Sequence, residues 1–422
     1  MMWRKVKLGD IAEFSNGINF DKGAYSKGVK LINVSNFGNR FSPEYDSLDE
    51  IKGEVVRNND LLSTGDIVFV RSNGNKELVG RCMLIDNPPE KVTYSGFCIR
   101  ARFKDTTDQD PVFWTYHFKN MAFRRAMSGT AIGANIQNLS QGRLAVYETM
   151  VPNIEGQKRI ANILSAYDNL IENNQKQIKL LEEAAQRLYK EWFVDLRFPG
   201  YENTAIIDGV PEGWKQYFLS EIVGYEIGGG WGEELVTEKC DKPAYVIRGT
   251  DLYGITHGVI SEVPYRFHAA SNLKSRQLID GDIIFEVSGG SKTEGVARTT
   301  LIRNTILHFL REPIMCASFC KLVRAKEKIH SQLLFDTFQY MRASGKTGEY
   351  DKKSASSIVN YRWKDFLTQE TILIPNEDLL IKYNALSENM YQLILTKSVE
   401  IEKTKEARDR LLPKLMSREI EV

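Results

Sequence analysis

No apolar run in this 422-residue chain approaches the ~20 residues of a membrane span. The opening MMWRKVKLGD has no apolar signal core, so a cytoplasmic protein with no membrane partner is expected. Cysteine is scarce. Cys82, Cys98, Cys240, Cys316 and Cys320 form no CxxC pair, which argues against a disulfide scaffold or a thiolate zinc site and for reduced thiols. Histidine is scarce too, and His117, His257, His268, His308 and His330 show no metal-ligand spacing, so no metal is expected. An excess of one charge is also missing. Lys+Arg number 56 and Asp+Glu 55, for a net charge of +1, so a nucleic-acid partner would have to be met by a local basic face.

Catalytic motifs are missing as well. Asp86–Glu90 reads DNPPE and imitates the Pro-Pro-aromatic loop of enzymes that methylate a flipped adenine. Glu90 stands where the aromatic would stack, and no Gly-rich cofactor turn precedes it, so a plain turn is expected. GGSKTEG (289–295) has glycines before Lys-Thr but not the spacing of a phosphate loop, and GGGWGEE (228–234) is not GxGxxG after a strand. No nucleophile–base pair can be argued. The expectation is a non-catalytic chain with no bound cofactor.

What is present is ordinary globular composition, 42% hydrophobic and 26% charged, with one unusual stretch. From Ile160, steps of four and three reach Leu164, Tyr167, Ile171, Asn174, Ile178, Leu181, Ala185, Leu188 and Trp192. Only Asn174 is polar. A seam of this period held over more than four heptads predicts a long coiled-coil helix. Pro152 stands at its start and Phe198-Pro199-Gly200 ends it. Some 35 residues would make a rod of roughly 50 Å. A second seam runs from Ile374 to about Arg418, with Tyr383, Met390, Ile394, Ile401 and Leu411 in matching places. Lys397 answers Asn174, a polar group at one seam position in each helix that can fix register. Ser387, Thr404 and Arg408 also fall on the second seam and weaken it.

The helices are the tails of a longer repeat. KLGDIAEFSNGIN answers FLSEIVGYEIGGG at an offset of 211 (219 − 8), and LINVSNF answers VIRGTDL at 215 (246 − 31). Gly65-Asp66 of LLSTGDIVFVRSNG answers Gly281-Asp282 of LIDGDIIFEVSGG at 216, Phe97 of SGFCIRAR answers Phe319 of ASFCKLVR at 222, and Pro152 answers Pro375 at 223. Order is kept while the offset grows by 12 residues (223 − 211), so the chain is a duplication with insertions in the second copy. Each copy reads as short strands and turns followed by a long helix, with PVFWTYHFKNMAFRRAM and SQLLFDTFQYMRAS as short helices. The expected fold class is α+β. Two tandem α/β globules are separated by two long helices packed as an antiparallel coiled coil, with pseudo-two-fold symmetry. The expected boundaries are a first globule at 1–150, a central helix at 151–194, a linker at 195–214, a second globule at 215–373 and a C-terminal helix at 374–422. Such a body suits a duplex, with one globule per half-site and grooves more than one turn (about 34–36 Å) apart.

These residues carry a resemblance. KLGDIAEFSNG and FLSEIVGYEIGG, LLSTGDIVFVRS and LIDGDIIFEVSG, the run SGTAIGANIQNLSQGRLAVYETMVPNIEGQKRIANILSAYDNLIENNQKQIKLLEEAAQRLYKEWFVD, and VPEGWK at 210–215 together resemble the specificity subunit of a Type I restriction-modification enzyme. The resemblance covers essentially the whole chain. It implies two target recognition domains that each read half of a bipartite double-stranded DNA target. It also implies helices that space the domains and dock two adenine-N6 methyltransferase subunits, with two motor-nuclease restriction subunits joining for cleavage. S-adenosylmethionine would then belong to the methyltransferase, and ATP and Mg2+ to the motor-nuclease. One departure stands at the helix starts. Glu155-Gly156-Gln157 is answered by Glu377-Asp378-Leu379, which lacks the second glutamine and leaves that helix's partner contacts in doubt.

Base readout draws on Arg, Lys, Asn and Gln carried on loops, and phosphate contact on Lys, Arg and small polar groups. The first globule offers Asn33, Asn36, Arg71, Asn73, Asn75 and Lys76, then Thr130, Asn135 and Gln137. The second offers Arg248 and Asp251 (matching Asn33 and Asn36), Ser288, Ser291 and Lys292, then Lys346, Thr347, Lys352, Lys353 and Ser354. Loops that differ between copies predict an asymmetric target. On the helices, Arg159, Asn162, Lys190, Lys403 and Arg410 are placed either to dock the methyltransferase or simply to face solvent. Two alternatives stay open: a subunit serving a methyltransferase without restriction, and a two-globule scaffold for protein partners.

Overall fold

The structure is a computed structural model that describes residues 2–38, 40–73, 78–128, 138–258, 263–289, 295–353 and 358–422. The chain divides into two compact units, residues 1–170 with 404–422, and residues 171–403. Each unit therefore takes a globule together with part of both long helices.

In the first unit the strands are β1 (Trp3–Lys7), β2 (Ala12–Asn16), β3 (Tyr25–Ile32), β4 (Asp49–Ile51), β5 (Ile67–Val70), β6 (Cys82–Leu84), β7 (Val92–Tyr94), β8 (Cys98–Phe103) and β9 (Glu148–Pro152). A four-stranded sheet has the order β2-β8-β5-β6 and a three-stranded sheet the order β4-β3-β7. β1 pairs with β9, closing the globule before the helix begins. The GDIVFV piece forms β5, and its Ile67 to Val70 are buried against apolar clusters on both sides of the sheet.

The second unit repeats the plan. After the short hairpin β10 (Ile206–Ile207) and β11 (Val210–Pro211) come β12 (Lys215–Phe218), β13 (Val223–Gly228), β14 (Lys242–Ile247), β15 (Tyr265–His268), β16 (Ile283–Glu286), β17 (Ser288–Gly289), β18 (Thr299–Leu301), β19 (Ile314–Cys316), β20 (Cys320–Ala325), β21 (Asp351–Lys353), β22 (Val359–Tyr361) and β23 (Thr371–Ile374). The four-stranded sheet runs β13-β20-β16-β18 and the three-stranded sheet β15-β14-β19. Each copy holds one parallel pair, β3 with β7 and β14 with β19. β12 pairs with β23 as β1 does with β9. The second unit also holds a small sheet of order β17-β22-β21. The two short helices expected from sequence form at Pro111–Lys119 with Met121–Ser128, and at Ser331–Ala343.

The long helices span Ile154–Tyr189 and Glu377–Met416, about 54 and 60 Å at ~1.5 Å per residue. A π-turn at Lys190–Val194 ends the first. Within the second unit Ile171, Ile178, Ile394 and Ile401 make one buried cluster. Asn174 there reaches Glu400, while Trp192 and Phe193 lie against Tyr383, so the helices run antiparallel. Within the first unit Asp168 is paired with Arg408, and Ile160 and Leu164 share a core with Leu415, in the same antiparallel sense. The expected seam is the buried face. The matched polar positions do not meet each other, however: Asn174 Nδ2 donates to Glu400 Oε2 at 3.0 Å, and Lys397 pairs with Glu400 at 3.4 Å. Glu400 links them from the helix flank.

Candidate nucleic-acid interface

In the first unit three segments converge at one end of the four-stranded sheet. Asn33 caps the turn Val34–Asn36, with Asn33 N donating to Asn36 Oδ1 at 2.7 Å. Ser95 Oγ donates to Asn33 Oδ1 at 2.9 Å. This ties the Asn33 turn to the turn Ser95–Phe97, which leads into β8. Arg71, just past β5, donates its backbone N–H to the Phe97 carbonyl at 2.8 Å and its guanidinium to the Gly96 carbonyl at 3.2 Å. Ser72 bridges to Asn138 at the same edge.

The second unit builds the same junction. Arg248 caps the turn Gly249–Asp251, and its side chain holds Asp251 at 2.8–2.9 Å through two nitrogens. Val287 and Ser288 donate to the Phe319 carbonyl at 2.9 and 3.1 Å. Ser288 Oγ donates to Asn360 Oδ1 at 2.9 Å, and β17 pairs with β22, the counterpart of the Ser72–Asn138 bridge. Through β22 the exposed Lys352 and the backbone of Lys353 on β21 join this edge. Beside it Glu286, buried on β16, holds Arg298 bidentately.

Not every expected residue sits here. Thr347 is only 4% exposed and offers no surface to a ligand. Lys346 is bound to Glu349 and Glu370, and it borders a hollow with Tyr189, Phe193 and Gln216. Arg248 and Asp251 engage each other within their own turn, so reading a base there would mean exchanging those bonds, while Asn33 and Asn36 commit their Oδ1 atoms to the turn and to Ser95. Asn75, Lys76, Thr130, Asn135, Gln137, Ser291, Lys292 and Ser354 lie outside the described residues, as does the side chain of Lys353. At the centre of each junction stands an exposed aromatic outside the polar candidates, Phe97 and Phe319. Their signal was the repeat alignment itself.

The imitations of catalytic motifs have structural roles. Asn87 in DNPPE takes φ +39° in the turn between β6 and β7. Gly229 of GGGWGEE donates to the Cys320 carbonyl at 2.9 Å. Burial pushes His117 down to about 4, beside Tyr147, and His257 Nε2 lies 3.0 Å from Glu182. Burial raises the thiols of Cys82, Cys98 and Cys316, to about 11, 12 and 12, so none is a ready thiolate. No described helix is long and apolar enough to cross a membrane.

Residues 2–183 match the family described as Type I restriction modification DNA specificity domain. The chain is 25% identical over 325 residues to the Type I restriction enzyme MjaIX specificity subunit of Methanocaldococcus jannaschii, covering 73% of this chain and 68% of that protein. It is 21% identical over 285 residues to the EcoKI specificity subunit of Escherichia coli, covering 65% and 57%. The crystal structure of the Type-I restriction-modification system S subunit from M. genitalium superposes with a TM-score of 0.61 at 15% identity, over 98% of this chain and 96% of that one.

Proposed function

We propose that the chain is a Type I restriction-modification specificity subunit, like the relatives it resembles, and that its two sheet-edge junctions are the two readers of a split DNA target. The chain is a specificity subunit, a DNA-recognition component without catalysis of its own. Each globule reads one half of an asymmetric bipartite sequence. The two long helices set the spacer and dock two adenine-N6 methyltransferase subunits, through which two motor-nuclease subunits are recruited. S-adenosylmethionine is held by the methyltransferase, and ATP with Mg2+ by the motor-nuclease.

One observation carries the reading. The same junction recurs in both copies, built on matched backbone bonds (Arg71 and Ser72 to Phe97, Val287 and Ser288 to Phe319), while the side chains it presents differ. A common mount with different readers suits two unlike half-sites. Methylome sequencing of cells expressing this chain with its methyltransferase tests it. The expected result is a split motif with one methyladenine on each strand and a fixed non-specific spacer. Methylation of an uninterrupted motif would refute the two-reader reading. Lys352→Ala is expected to weaken duplex binding across sequences and to lower the salt slope of log K by about one, measured by fluorescence anisotropy at several salt concentrations.

A further inference from the structure

One apolar ring stands in solvent at the centre of each polar junction. Phe97 is 60% exposed and Phe319 57% exposed, and they occupy equivalent places in the repeat. Neither sits on a loose loop. The Phe97 carbonyl accepts from Arg71 N at 2.8 Å and Ser72 N at 3.3 Å, and the Phe319 carbonyl from Val287 N at 2.9 Å and Ser288 N at 3.1 Å. A glycine closes the back of each turn. A Cβ on Gly17 would stand 2.3 Å from the Tyr94 and Ser95 carbonyls, and one on Gly229 would stand 2.2 Å from that of Ala317. The following strands begin with buried Cys98 and Cys320. Each phenyl is therefore held outward on a rigid mount, without the burial such a ring ordinarily gains.

The neighbours differ where the ring does not. Asn33 and Asn36 become Arg248 and Asp251, and Arg71 becomes Val287. A group that stays the same beside readers that change cannot encode what differs between the two half-sites. It serves a step common to both. For an apolar ring facing a duplex among polar groups, that step is insertion between stacked base pairs. We propose that Phe97 and Phe319 are wedges, each entering a base-pair step of its own half-site and unstacking it, so that the flanking readers meet a distorted groove. This rests on the DNA-reading assignment made above for the two junctions.

The test uses the full chain with its methyltransferase and a duplex carrying the methylated motif. 2-Aminopurine is placed in turn at each step of both half-sites, away from the methylated adenines, and binding is followed independently by anisotropy. The bound wild type is expected to raise the fluorescence severalfold at one step per half-site. Phe97→Ala abolishes the rise in one half only and Phe319→Ala in the other, while Phe97→Trp keeps it. Both rings are exposed, so the thermal midpoints of the variants stay at the wild-type value. A rise that survives both alanine substitutions, or no rise in a wild-type complex that does bind, overturns the wedge. A wild type that fails to bind the motif duplex overturns the DNA-reading assignment itself, and the wedge with it.

Discussion

The matched Gly-Asp pairs show what a two-residue motif can hold. Gly65 and Gly281 take φ +91° and +93°, in a region that a side chain would strain. The aspartate that follows each is buried. Asp66 accepts from Arg102 at 2.7 and 2.6 Å and from Ser63 N at 2.7 Å. Asp282 accepts from Arg324 at 2.6 and 2.8 Å and from Ile279 N at 2.7 Å. Removing either carboxylate strands a guanidinium and a turn N–H together. Asp66→Ala and Asp282→Ala are each expected to cost about 2–3 kcal/mol, read as a lower urea midpoint in the transition of the affected unit. The motif was legible in the sequence as a repeat anchor. Its arginines were not, because they lie 36 and 42 residues downstream and nothing local marks them. The proposed reading residues were hidden for the opposite reason. Arg248 and Asp251 are three apart and satisfy each other, which a list of polar loop residues does not reveal.

At the scale of elements, the period of the first helix told nearly everything about its buried face, since Ile160, Leu164, Ile171, Ile178, Ala185 and Trp192 are all buried. The partner of its polar position was less legible. A 223-residue offset pairs Asn174 with Lys397, but antiparallel helices meet by a reversed register, which brings Glu400 to Asn174. Asn174 Oδ1 is left without a hydrogen bond, so this amide is incompletely satisfied where a side chain could pack instead. Asn174→Leu is therefore expected to raise the thermal midpoint by a few degrees. Ile394→Ala, in the same layer and fully buried, is expected to lower stability by about 2–5 kcal/mol. Calorimetry on the two variants checks both signs. Equal behaviour would mean that the seam tolerates polar and apolar groups alike.

For the whole molecule, duplication was the strongest message of the sequence, and the two copies do share sheet orders, a parallel pair each and a closing strand before each helix. What duplication did not foretell is how the chain is apportioned. The first unit is completed by residues 404–422, whereas 171–403 form the second without a break. Leu415 is fully buried in the first unit's core, with Leu411, Leu412 and Met416 packed around it, and Arg418 stacks on Trp3 at 4.6 Å. Deleting residues 404–422 is thus expected to lower the transition of the first unit and to spare the second. Hydrogen exchange that finds protection lost first within 171–403 would contradict this.

The interrupted first unit also imposes an order on biosynthesis. Residues 1–170 leave the ribosome first, yet the segment that seals their core is made only after the entire second unit. Until then Ile160 and Leu164 have no Leu415 to cover them. A nascent chain that has already formed its leading half must wait, with an apolar stripe uncovered, for the trailing half to be finished. The first unit is thereby finished last, and a chain interrupted just before residue 404 leaves it unsealed while the second unit is already whole.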